Sequence, residues 1–203
     1  MLNEFKKLAK DFRVYLRAFT LTDANTSHDW RVDDEMIEGS VGRKYFVSPD
    51  YEKKWVNDVI FSPGNSLKLA VCLKENHQHI GNAYLDNVDC FNQNALFGLM
   101  IGEKSQWGKG IGTEITLLML YHAFYEMNLK RVYSYQLEDN IGSIKVHQKC
   151  GFQQEGVLRK AVFKHGELVN LNVMGILKEE FDQKVCEMLK GQSNNRANNR
   201  GRE

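Results

Sequence analysis

QWGKGIGTE, residues 106–114, sets glycines at 108, 110 and 112 between two apolar stretches, NALFGLMIG (94–102) and ITLLMLYHAF (115–124). The first stretch reads as a strand. In the second, Ile111, Ile115, Leu118, Met119 and Tyr125 fall close to helical spacing. The glycines therefore end a strand and open a helix. There the free N–H groups of the first turn and the helix dipole form a site for an anion such as phosphate. Two familiar phosphate loops do not fit. The dinucleotide pattern GxGxxG fails at Thr113 and Ile115, and the P-loop pattern fails at Glu103 and Gly110. The competing reading is a tight turn with close helix–sheet packing.

Working outward, VYLRAFTL (14–21) reads as a strand and TDANTSHDW (22–30) as the start of a helix. Residues 33–50 read as loop with some helix. In 51–60, Tyr51, Trp55 and Val59 share one helical face. Strand-like runs at 67–73, 79–88 and 94–102 are separated by polar turns and predict an antiparallel meander. After the glycine helix come a strand, KRVYSYQL, and a helix that opens at Asn140 and closes at Gly151. Two strands then flank KHGE, a hairpin turn, and a last helix follows. This order predicts an α+β fold, with one domain over 1–190. The tail 191–203 has Ala197 as its only apolar residue, which predicts disorder.

Composition narrows the function classes. The chain has 203 residues, is 42% hydrophobic and has a net charge of +1, so it can build a core and has no general attraction to nucleic acid or an acidic membrane. No run approaches the ~20 apolar residues of a membrane span, and MLNEFKKLAKDF lacks the apolar core of a secretory signal. Cys72, Cys90, Cys150 and Cys186 form no CxxC pair, which predicts reduced thiols and a cytoplasmic location. HQH (77–79) has no third ligand nearby and reads as a solvent-exposed turn, so no metal is expected. Trp30 and Trp55 read as core residues.

A second motif, NIGSIKVHQKCGF (140–152), lies one strand after the glycines. Together the two motifs resemble the GCN5-related N-acetyltransferase (GNAT) family. That family's loop, (Q/R)-x-x-G-x-(G/A), is followed about thirty residues on by N-x-x-(A/S)-x-x-hydrophobic-Y-x-K-x-G-F. Asn140, Ser143, Val146, Lys149, Gly151 and Phe152 stand in register with the second pattern. Over about residues 13–181 the chain is similar to the branch that acetylates ribosomal-protein N-termini, polyamines and amino sugars. The resemblance implies a cofactor cleft between two diverging parallel strands and direct attack of a primary amine on acetyl-CoA. It implies that Trp107, Gly108, Lys109, Gly110, Ile111 and Gly112 bind the pyrophosphate, and that Leu99, Met100 and Ile101 bind the pantetheine arm and an oxyanion through their backbone. It places Asn140 and Ser143 beside the thioester.

The chain departs from the family pattern at three positions. Trp107 replaces the usual Gln or Arg. Leu96 replaces a Glu that often serves as base, with Glu103, Glu138, Asp139 or a water chain as alternatives. His147 replaces the Tyr that commonly protonates the leaving thiolate. An imidazolium near pKa ~6.5 could protonate a thiolate near ~8.5. The competing reading makes His147 a packing residue, with Tyr133 or Tyr135 as substitutes. The expectation is an acetyl-CoA-dependent N-acetyltransferase, with His147 and Asn140 as its catalytic residues. Its acceptor is a small or peptide amine, with no nucleic-acid or membrane partner, and a homodimer is left open. The alternative is a silent acyl-CoA-binding sensor.

Overall fold

The computed structural model describes residues 2–42 and 46–200, the side chains of residue 2 and of residues 192–200 excepted. In chain order the elements are α1 (Leu2–Ala9), β1 (Val14–Arg17), α2 (Asp23–Val32), α3 (Asp34–Glu38), α4 (Pro49–Phe61), β2 (Leu67–Leu73), β3 (His79–Asp89) and β4 (Asn94–Ile101). There follow α5 (Ile111–Tyr121), β5 (Arg131–Leu137), α6 (Ile141–Cys150), β6 (Gln153–Lys164), β7 (Glu167–Leu177) and α7 (Lys178–Arg200). The strands form one seven-stranded sheet in the order β1-β2-β3-β4-β5-β7-β6. All neighbours are antiparallel except β4 and β5, which run parallel because α5 crosses between them. The expected meander is β2-β3-β4, and the α+β class holds.

Strand alternation assigns the two faces. Ala83 and Leu85 of β3, Ala95 and Phe97 of β4, and Val132 of β5 join a core with Phe5 of α1, Ile115 and Leu120 of α5, Cys150 of α6 and Phe181 of α7. The alternate residues of β3 face α2 and α4: Asn82 bonds Ser27, and Tyr84 packs edge-on to Trp55. Trp30 is buried, as expected, and lies so close to Gly102 that a Cβ there would fall 1.9 Å from its ring.

Local chemistry accounts for the boundaries. Ser48 caps α4 by accepting from the Tyr51 N–H, with Pro49 at the first helical position. Gly151 takes the left-handed conformation after α6, at φ +100°. His165 and Gly166 are both left-handed, at φ +50° and +87°, as a two-residue hairpin turn requires.

Three outcomes differ from the sequence reading. Helix α1 was not anticipated; its Phe5 stacks on Tyr121 at 4.4 Å. The final helix continues to Arg200 through the stretch expected to be disordered, since extending a packed helix needs no new nucleus; residues 201–203 lie outside the described residues. The His79 side chain is only 7% exposed, where HQH was expected in solvent. Its ring sits between Asp23 Oδ1 (3.3 Å) and the Asn82 and Gly81 oxygens (2.8 and 3.0 Å).

Gly102→Ala is expected to force Trp30 off the end of β4 and cost about 1–3 kcal/mol, the range for overpacked sites. Urea unfolding checks this, and a midpoint equal to wild type would show that α2 yields without loss.

Candidate active site

The site begins where β4 and β5 part. They pair only at Asn94↔Arg131, Ala95↔Val132 and Leu96↔Tyr133. Beyond that point β4 stays on β3 and β5 stays on β7, so residues 97–101 and 134–137 face each other with no strand partner between them. Leu99, Met100 and Ile101 thus present a free strand edge, as expected for a segment that pairs with an extended ligand.

The three glycines have two separate causes. Gly108 and Gly110 have φ of +72° and +83°, a region that favours residues without a Cβ. Gly112 sits where α5 crosses α6: a Cβ there would meet Val146 at 3.2 Å. Among the described residues, none of the N–H groups of residues 108–112 finds a protein acceptor. A row of bare donors therefore opens α5. Glu114, one turn in, is bound by the Arg13 guanidinium and backbone N–H, and the same guanidinium donates to the Lys109 carbonyl at 2.7 Å. This clamp orients the loop and ties up the Glu114 carboxylate. No ion pair among the described residues involves the Lys109 ammonium. Trp107 donates its indole N–H to the Ile101 carbonyl at 2.8 Å, which folds the loop back on β4.

Both predicted catalytic residues lie on α6. Asn140 caps it, accepting from the Ser143 N–H at 2.9 Å, while its Nδ2 donates to the Gly39 carbonyl at 2.7 Å. Both ends of this amide are therefore engaged with protein. His147 is only 5% exposed and packs against Phe97 (5.7 Å) and Phe152 (4.8 Å). Its Nδ1 lies 2.8 Å from the Ser143 carbonyl, which can only accept, so Nδ1 carries the hydrogen. Its Nε2 is buried without a partner. Burial lowers the imidazole pKa below its ordinary value. Burial thus works against the imidazolium that protonation of a leaving thiolate would need. The reason is desolvation with no acid beside it.

The opposite face of the same point shows what sequence reading missed. Sheet register sets Asp86, Leu96 and Tyr133 in one row across β3, β4 and β5. The Leu that replaces the usual Glu is thus flanked by a carboxylate, paired with Lys68, and a phenol. Burial raises the Tyr133 phenol's pKa and keeps it protonated. Hairpin length alone would not reveal this row, because an irregularity between Asp86 and Asp89 shifts the register by one residue. Glu103 instead caps the turn after β4, and Glu138 bonds Asn170.

Helix α3 is tied down from three elements. Lys104 pairs with Asp33 (2.8 Å) and Glu35 (2.6 Å), Lys164 donates to the Ile37 carbonyl (2.8 Å), and Asn140 holds Gly39. Burial pushes the Cys150 thiol up to about 12, so it is no nucleophile at neutral pH.

The acetyltransferase (GNAT) domain family matches residues 13–153. The chain belongs to the GNAT family. Its reaction class is acetyl transfer from acetyl-CoA, as the two motifs implied, and nothing in the comparison favours the silent sensor. This acetyltransferase is 27% identical over 176 residues to the N-acetyltransferase p20 of Bacillus licheniformis, covering 83% of this chain and 95% of that one. It is 26% identical over 102 residues to the spermidine N(1)-acetyltransferase of Vibrio cholerae, covering 50% and 58%. A crystal structure of spermidine N-acetyltransferase from V. cholerae, in complex with CoA and spermine, shares its fold with TM-score 0.77 and 22% identity, over 83% of this chain and 98% of that one. No helix among the described residues is long and apolar enough to cross a membrane, and no cluster of three His, Cys, Asp or Glu among them could hold a metal ion.

Because the folded pKa of His147 lies below the unfolded one, its neutral form adds stability above about pH 6.5 that is lost as pH falls through the lowered value. His147→Phe should therefore lose less melting temperature than wild type between pH 7.5 and 5.5. Equal losses would show that His147 is not buried neutral.

Proposed function

We propose that this acetyltransferase acetylates a primary amine that enters on the α2–α4 face, while the cofactor lies in the wedge from the α5–α6 side. The observation that carries this reading is the wedge itself, with a free strand edge on β4 and bare N–H donors at residues 108–112. Those donors and the Lys109 ammonium suit the pyrophosphate; Leu99, Met100 and Ile101 suit the pantetheine arm; Ile111 and Gly112 hold the loop to α5. Acetyl-CoA supplies an acetyl thioester, and the chain's residues supply position and proton movement.

An alkyl ammonium with pKa near ~10.4 must first lose a proton. Asp86, directly or through water, is the carboxylate placed to take it beside Leu96. The attacking nitrogen and the leaving sulfur sit on one carbon. The His147 Nε2 lone pair, on the other side of the point where the strands part, then takes the second proton from nitrogen and returns it to sulfur. A buried imidazolium is a stronger acid than an ordinary one, so the return is downhill. Asn140 and Ser143 act as positioning residues: the first starts α6, and the carbonyl of the second fixes the ring tautomer.

The acceptor is a small amine or a peptide N-terminus. The acidic stretch around α3 favours a cationic amine, although Lys104 already pairs with two of its carboxylates. We place the chain in the cytoplasm as one acetyltransferase domain over residues 1–190.

Acetyl-CoA at a hundredfold excess over Kd should stabilise the fold by about 2.7 kcal/mol. CoA release should follow with a member of a panel of spermidine, glucosamine and a short peptide amine. Melting unmoved by millimolar acetyl-CoA would overturn the reading. His147→Phe should lower kcat about 10²-fold. Wild-type kcat should fall on the acid side, where Nε2 is protonated, and hold through pH 6.5–8; a fall with rising pH near 6.5 would restore the imidazolium acid. Asp86→Asn should lower kcat/KM for the amine at least tenfold, with acetyl-CoA affinity unchanged; full activity would leave water as the base.

A further inference from the structure

The α5–α6 face of the wedge holds a second buried polar atom with no partner. Gln136 of β5 is 2% exposed, its Nε2 donates to the Ser134 hydroxyl, and its Oε1 has no partner among the described residues. Turning the amide round exchanges its ends and still leaves one free.

The position of these residues is informative. Val132, Ser134 and Gln136 alternate along one face of β5. Val132, opposite Ala95 where β4 and β5 still pair, is apolar and fully buried in the core. Polarity begins at Ser134, the first residue of this face beyond the last pair. On the β7 side the neighbours are Ile176, Met174 and Asn172, and Asn172 already accepts from Gln154 at 3.2 Å. No group of β7, the Asn172 amide included, bonds the free end of Gln136. A buried, half-satisfied amide destabilises the folded chain, and an apolar side chain of the same length would not.

We propose that Gln136, held by Ser134, is a positioning residue for the pantetheine arm of acetyl-CoA. Its free amide end would bond one of the arm's amides, which offer both an N–H and a C=O and so complement either orientation. The proposal rests on the wedge being the cofactor cleft. It adds a side-chain contact from β5 to the backbone edge of β4, so the arm would be gripped from both strands.

Gln136→Met keeps the length, Gln136→Leu is one atom shorter, and both remove the polar ends. Calorimetry with two ligands isolates the contact: acetyl-CoA, and 3′,5′-ADP, which carries the nucleotide phosphates without the arm. Both variants should melt above wild type without ligand. They should bind acetyl-CoA about 5- to 10-fold more weakly, the worth of one hydrogen bond, and bind 3′,5′-ADP as wild type does. The KM for acetyl-CoA should rise with kcat within about twofold. Unchanged acetyl-CoA affinity would overturn the proposal. So would equal weakening of both ligands, or ligand-free variants that melt well below wild type with the ligand preference intact, since these mark a structural role. Wild-type protein that binds 3′,5′-ADP but gains nothing from the arm would also overturn it while leaving the pyrophosphate loop standing. Wild type that binds neither ligand would remove the cleft reading, and this proposal with it.

Discussion

Three residue pairs hold β4 to β5, and the shortness of that ladder shapes the rest of the molecule. Two parallel strands left to themselves would continue to pair. Here each is drawn away by its antiparallel neighbour, β3 on one side and β7 on the other, over its whole remaining length. The result is a wedge with two unpaired strand edges inside an otherwise continuous sheet. Backbone groups so exposed are unfavourable without a partner. A ligand that alternates N–H and C=O groups along an extended arm is a natural partner for them.

The helices on one face convert the wedge into a site with direction. Helix α5 points its bare N–H groups at the outer end, and α6 presses His147 against Phe97 at the inner end. Polar atoms without partners are rare in a folded core. Among the described residues, two of the few found here, His147 Nε2 and Gln136 Oε1, belong to elements that line the wedge. On the proposed reading, such placement would trade stability of the empty protein for contacts made only when it is loaded.

The fold class and both helix openings were legible in the sequence because glycine, asparagine and alternating apolar residues act locally; the wedge followed from the family resemblance. What was hidden depends on contacts between distant segments. Leu96 looked like a missing base because its neighbours Asp86 and Tyr133 join it only through register. The burial of His147 could not be read, because a sequence shows a residue's type and not its surroundings. The bond from Asn140 to Gly39 was hidden because the two lie about a hundred residues apart. The N-terminal helix was hidden for a simpler reason: Phe5 and Leu8 bury their side chains but are too few to form a periodic pattern.

Helix α3 has only five residues, too short to persist alone, and Lys104, Asn140 and Lys164 hold it from three separate elements. A short segment secured by a few side chains can detach and reseat while the sheet behind it stays intact. On the proposed function, with the amine entering from this side, α3 would be a doorway whose opening costs far less than unfolding, and whose fit would change with substitutions in this segment alone.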